Sequence, residues 1–428
     1  MTDTHDNPAA APDQPQAAPI NETGGRIASL DFIRGIAVMG ILVANIVSFG
    51  QPFTAYMWPD GFLVPDGDPG GWQWIAQFVA IDGKMRGLFS LLFGAGICLF
   101  MERAWDRGET RWLQARRLFW LGLFGLAHFF LLWRGDILFF YSLCGFVLLA
   151  TLRWTPKTQI VVATMVYSFA SVLFAALYWF MYRVAETPWG KTEELKGAAE
   201  GVATAKVGPL ADAVTQTAIM QDGTYLDLVL HKLTVHGFDW VGMLMFVSWE
   251  TVPLMLFGAA LYRLGLFDGR MNASRVRLWG WLGVIGGSAV TLAVALWVKS
   301  VGFGYFSTMG AFIGWSMLPR LFVVLGLAAL LSLYGARAGG WLALRIAATG
   351  RMAFSNYLGT SFVLLFVFSP WAFDLFGVLN RPQLYAVVLG VWAMMLLWSK
   401  PWLERFRYGP LEWLWRCLTY GRAFPLRR

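Results

Sequence analysis

The sequence predicts an all-α fold: a polytopic membrane helical bundle of about ten transmembrane helices with both termini cytoplasmic. Three observations carry this. Only 14% of the 428 residues are charged and 57% are hydrophobic, whereas a soluble domain carries about a quarter charged residues. Apolar runs long enough to cross a bilayer recur along the whole chain. Lysine and arginine gather in alternate loops, the pattern of cytoplasmic loops.

The predicted spans are 33–49, 88–101, 118–133, 137–152, 160–182, 241–264, 278–298, 309–334, 353–376 and 384–398. The third and fourth make a tight hairpin around Trp133-Arg134-Gly135-Asp136. With ten crossings, the loops holding Arg103 to Arg117, Arg153 and Lys157, Arg263 to Arg277, and Arg337 to Arg351 all share one side with the basic C-terminal tail. The opposite loops carry Asp60, Asp66, Asp68 and Asp82, then Glu186, Glu193, Glu194 and Glu200. An odd number of crossings would scatter the basic loops over both faces.

Three regions follow. Residues 1–25 lack any periodic order and read as a disordered tail. Residues 26–400 form the bundle, with outer loops at 51–84 and 183–239. Residues 401–428 alternate aromatic and basic positions, as a cytoplasmic amphipathic surface helix does. Within the first outer loop, 72–78 suits a short interfacial helix, and the second loop suits a lid or surface helix pair. No basic stretch or cleavage-type site precedes the first apolar run, which predicts a retained helix.

The net charge of +8 does not point to nucleic acid, because the basic residues sit in short loops between apolar spans. Cys98, Cys144 and Cys417 make no disulfide or metal pattern. The spacing of His231 and His236 does not put both on one helix face, so no metal and no tightly bound cofactor is expected.

Several polar groups lie where lipid-facing helices do not carry them. Asn45 is eleven residues beyond Arg34, and His128 eleven beyond Arg117. At 1.5 Å per residue each lies roughly 17 Å in from its basic end. Glu250 and Arg320 fall near mid-depth of their spans and are expected to pair, since either alone would be very costly. Asp136 lies a short distance from His128 across the hairpin, and a carboxylate beside a histidine is how a general base is oriented. A core histidine bonded to a carbonyl is the competing reading. Asp31 and Arg34 open the first helix, either as a salt bridge or as a clamp for a phosphate. Arg351, Asn356 and Tyr357 open the ninth, with packing and ligand contact equally open.

Arg26-Ile27-Ala28-Ser29-Leu30-Asp31-Phe32-Ile33-Arg34-Gly35, Phe89-Ser90-Leu91-Leu92-Phe93-Gly94-Ala95-Gly96, Gly125-Leu126-Ala127-His128 with Gly135-Asp136, Gly350-Arg351-Met352-Ala353 with Asn356-Tyr357, and Gly409-Pro410-Leu411-Glu412-Trp413 together resemble the YeiB-like family of bacterial inner-membrane proteins, a domain of unknown function (418). More distantly, the first helix is similar to that of the transmembrane acyltransferases, acyltransferase-3 and the heparan glucosaminide N-acetyltransferases. That resemblance implies a cytosolic acyl-CoA donor and a lipid or glycan acceptor in or across the membrane. Acyltransferase-3 proteins carry a catalytic histidine where this chain has Asn45; the glucosaminide enzymes carry Asn there and a histidine in the next outer loop, where this chain has none.

The leading expectation is an acyltransferase-like protein of the bacterial inner membrane. Arg34 admits acyl-CoA, His128 with Asp136 acts as base, and Asn45 bonds the oxyanion. The alternative is a transporter or flippase using Glu250 and Arg320, and a weaker one is a non-catalytic scaffold. The lipid bilayer is the expected partner, and a homodimer is allowed.

Overall fold

The computed structural model describes residues 27–428 apart from 336 and 338; the predicted tail 1–25 lies outside the described residues. Sixteen α-helices follow in order: α1 Ala28–Gly50, α2 Trp72–Ala80, α3 Lys84–Trp105, α4 Arg111–Ala127, α5 Leu138–Thr151, α6 Pro156–Glu186, α7 Lys196–Asp222, α8 Tyr225–Thr234, α9 Asp239–Arg263, α10 Ala273–Ser300, α11 Tyr305–Gly310, α12 Met317–Gly335, α13 Trp341–Arg351, α14 Ala353–Phe368, α15 Arg381–Arg405 and α16 Pro410–Tyr420. Among the described residues no named strand occurs, only a single bridge between Phe406 and Arg427.

Eight helical stretches are long and apolar enough to cross a membrane, and nine if the bent pair α13 and α14 is one span. The remaining predicted segment, the fourth, is α5, whose 14 residues reach only about 21 Å, short of a hydrocarbon core of about 30 Å. All ten predicted segments are therefore helical, but they are not ten uniform rods.

Three expectations need correction. Residues 72–78 do not lie free at an interface: Trp74, Ile75 and Phe78 are buried against Ala295 and Val298 of α10 and against Phe312. The predicted eighth span is α11, a π-helical turn Ala311–Trp315 and α12. The predicted ninth span, 353–376, is α14 and ends at Phe368; before it α13, outside the predicted spans, meets α14 at 85° across Met352. Hydropathy cannot register the π-helical turn, because the chain stays apolar through it.

The tight contact of α1 with α13 sets the geometry of the basic end. A Cβ on Gly350 would lie 1.9 Å from the Asp31 carbonyl, and one on Gly35 2.0 Å from the Ile346 carbonyl. Glycine at both places lets the two backbones touch. Arg34 and Arg351 are thereby brought to the same opening.

Candidate functional site: a basic-mouthed cavity and a buried histidine

At the end of the bundle that carries the basic loops lies a cavity of about 650 Å³, within the range of small-molecule sites. Its mouth is lined by Asp31, Arg34, Arg103, Arg117, Arg351, Arg407, Arg416 and Arg428. Its depth is apolar and aromatic: Val38, Ile41, Phe89, Phe93, Leu121, Leu138, Tyr141 and Tyr357. Arg34 Nη1 reaches Asp31 Oδ1 at 3.2 Å. Arg117 is held face-on between Phe100 at 4.0 Å and Trp415 at 4.5 Å, a stacking that suits guanidinium.

The C-terminal tail forms one wall of this cavity. Trp415 Nε1 donates to the Arg117 carbonyl at 2.8 Å. Glu412 Oε1 accepts the backbone N–H groups of Phe354 at 2.8 Å and Ser355 at 3.1 Å, and Ser355 Oγ donates to Oε2 at 2.5 Å. A tail carboxylate thus caps α14 where it meets α13, satisfying amides that helix starts leave free. Burial pushes the Glu412 carboxyl above its usual range, although the bonds from Ser355 pull the other way. The tail docks on the bundle rather than merely lying on a membrane surface.

His128 opens a π-helical turn, His128–Leu132, in which the Trp133 amide bonds the His128 carbonyl; such turns are frequent at functional sites. Its side chain is fully buried. Nδ1 lies 2.8 Å from Asp136 Oδ1 and Nε2 lies 2.8 Å from Ser361 Oγ. Asp136 Oδ2 takes the Phe139 amide at 2.8 Å, which caps α5 and fixes the carboxylate. Serine, histidine and aspartate therefore stand in the order of an acyl-transfer triad. The imidazole sits 5.1 Å, centroid to centroid, from the ring of Tyr357, a residue of the cavity wall.

The other predicted residues fall in different places. Asn45 is half-buried and its carbonyl accepts from Ser48 Oγ at 2.8 Å. Neither it nor His128 lines the basic cavity. The Trp133 ring stacks on Phe49, one turn beyond Asn45, at 4.3 Å and meets His128 at 6.4 Å. Both nitrogens of His128 are already engaged, so no bond joins it to Asn45. The Asn356 side chain serves packing: Nδ2 donates to the Thr349 carbonyl and Ser399 Oγ, and Oδ1 accepts from Trp398 Nε1.

Glu250 and Arg320 pair as expected, at 3.0 and 3.2 Å. Arg86 joins them on Glu250, and Tyr167 donates to it at 3.4 Å. Arg320 also bonds the Phe312 carbonyl, in the π-helical turn before α12, and Ser316 Oγ at 2.8 Å. Sequence reading missed Arg86 as a partner, although a guanidinium near the start of an apolar helix calls for a carboxylate. Ser361 belongs to the polar cluster that the sequence places one turn after Tyr357, but nothing in the sequence joined it to His128. Nothing local announces Glu412 as a helix cap for another segment.

Fold and cavity together define a polytopic helical membrane protein with a chamber of about 650 Å³ at one end. The chain belongs to the YeiB-like family. It is 32% identical to "Uncharacterized protein YeiB" of Escherichia coli (strain K12), over 94% of this chain and 98% of that protein. It is 29% identical to "Uncharacterized protein YxaH" of Bacillus subtilis (strain 168), over 95% and 97%. Residues 261–422 match the family described as "Protein of unknown function (DUF418)". No solved structure matches the chain.

Proposed function

We propose that this protein is an acyltransferase-like enzyme of the bacterial inner membrane, with its basic face and both termini in the cytoplasm and acyl-CoA as its donor. The observation that carries the reading is the cavity: an arginine-lined mouth above an aromatic and aliphatic depth. Arginine binds phosphates bidentately, and the depth accepts an acyl chain, so an amphiphile with a phosphorylated head fits both ends. Asp31, Arg34, Arg351 and Tyr357 are its contacts in this reading.

His128, fixed by Asp136, is the base. Ser361 Oγ marks, at 2.8 Å from Nε2, where a hydroxyl proton is taken. Either Ser361 itself or the hydroxyl of a lipid or glycan acceptor that displaces it then attacks the thioester carbonyl, and the CoA thiolate leaves with that proton. In the Ser361 route the acceptor hydroxyl, deprotonated by His128, next attacks the serine ester, and Ser361 Oγ leaves with that proton. The oxyanion role for Asn45 loses support, because Trp133 lies between α1 and the imidazole. The transport reading also loses support: Glu250 is already held by two guanidinium groups.

The test is saturable binding of radiolabelled acyl-CoA to the purified full chain, followed by CoA release in the presence of membrane lipids. Arg34→Ala is expected to weaken binding about 10- to 100-fold, the worth of a charge-assisted bond. His128→Ala should bind normally and release no CoA. Absence of acyl-CoA binding by the wild-type protein overturns the reading.

A further inference from the structure

The outer helix pair meets the turn between α4 and α5 in a second cluster. Asp212 on α7, His231 on α8 and His236 before α9 bring one carboxylate oxygen and two ring nitrogens within 4.8 Å of one another. Asp212 Oδ1 lies 3.0 Å from His231 Nε2 and 2.9 Å from His236 Nε2. Arg134 Nη1 lies 2.6 Å from Asp212 Oδ2 and 2.7 Å from His236 Nε2. On the far side of the ring, His236 Nδ1 lies 2.7 Å from Asp239 Oδ2. Arg134, Asp212, His236 and Asp239 line a cavity of about 430 Å³.

His236 cannot satisfy these neighbours alone. A carboxylate at Nδ1 puts a proton there. If the ring is neutral, the Nε2 lone pair suits Arg134 but faces the lone pairs of Asp212 Oδ1. If the ring is charged, Nε2–H suits Asp212 but faces the Arg134 guanidinium, donor to donor and cation to cation. A divalent cation between the two Nε2 atoms and Oδ1 removes the conflict. Both imidazoles become ligands, Asp239 holds the Nδ1 proton of His236, and Arg134 keeps its bond to Oδ2 alone. A carboxylate behind a metal-bound histidine is the usual orienting arrangement. Zinc bonds of about 2.0–2.1 Å set tetrahedral ligands about 3.3 Å apart, so Asp212 Oδ1 and each histidine Nε2 need to separate by only a few tenths of an ångström.

We infer that Asp212, His231 and His236 form a zinc-class divalent-metal site whose fourth position faces the outer cavity. Three protein ligands with one open position is the pattern of zinc sites that bind water or a substrate. The ligands come from α7, α8 and the entry to α9, so the metal also ties the outer helix pair to the bundle. The spacing of the two histidines hid this, because the third ligand is 19 residues before His231.

The test uses the full chain in detergent, stripped with a chelator and titrated with zinc against a chromophoric competitor. One equivalent is expected to bind, and His231→Ala and His236→Ala should each lose at least about 100-fold, with Asp239→Asn losing about 10- to 100-fold. Arg134→Gln should tighten binding, since it removes the competing cation while leaving every ligand. Cobalt(II) should give the visible spectrum of a tetrahedral site, lost in His236→Ala. If the histidine variants misfold, Asp239→Asn and Arg134→Gln carry the test. Equal zinc affinity across wild type and these variants overturns the inference, as does weaker binding in Arg134→Gln.

Discussion

Glu412 and Phe354 are joined by a 2.8 Å bond from the Phe354 amide to the Glu412 carboxylate, so the C-terminal helix holds the start of a broken transmembrane helix. Glu412→Ala leaves buried amides unpaired. It should lower stability by about 1–3 kcal/mol and speed proteolysis of the tail, read by thermal unfolding and limited digestion.

The burial of the same carboxyl predicts a pH dependence. Because burial raises the Glu412 carboxyl, the folded state holds its proton more tightly than the unfolded chain. Its contribution is therefore fully present below the ordinary carboxylate range and is lost as pH rises through the raised folded value. Unfolding midpoints should fall over that window in wild type, and the slope should shrink in Glu412→Gln. An identical slope in both proteins rejects this assignment.

Two glycines separate fold from ligand binding. Gly350→Ala drives a Cβ into the Asp31 carbonyl at 1.9 Å and should cost about 1–3 kcal/mol or more. Gly96 lines the cavity and a Cβ there meets nothing within 4 Å. Gly96→Leu should therefore fold normally yet bind long-chain acyl-CoA more weakly than short-chain acyl-CoA. Binding isotherms over a chain-length series check this.

Glu250 carries two guanidinium groups, so removing its charge leaves buried Arg320 and half-buried Arg86 without their carboxylate. Glu250→Gln should destabilise by about 3–5 kcal/mol, measured by unfolding in detergent. The double change Glu250→Gln with Arg320→Met should recover part of the loss. A large effect on membrane transport with unchanged stability would favour the transporter instead.

Asp136→Asn should lower CoA release about 10²- to 10⁴-fold while leaving acyl-CoA affinity near wild type. Ser361→Ala distinguishes the two routes: loss of release marks a serine ester intermediate, and retained release marks direct attack by the acceptor.

Local signals in the chain were enough for the ten apolar segments, the hairpin that pairs His128 with Asp136, the outer helix pair, and the match in depth that joins Glu250 to Arg320. Hydropathy and loop charge are properties of neighbouring residues, and depth follows from helical rise alone. The tertiary structure decided the rest. It bent the chain by 85° at Met352, just before the ninth segment, brought Arg86 to Glu250 and Ser361 to His128, and turned the tail into a cavity wall. It also set Trp133 between α1 and the imidazole and closed Asp212 onto two histidines. Each of these depends on which helix lies beside which and on how each is rotated about its axis. Those are set by packing between segments distant in sequence, and no periodicity within one segment encodes them.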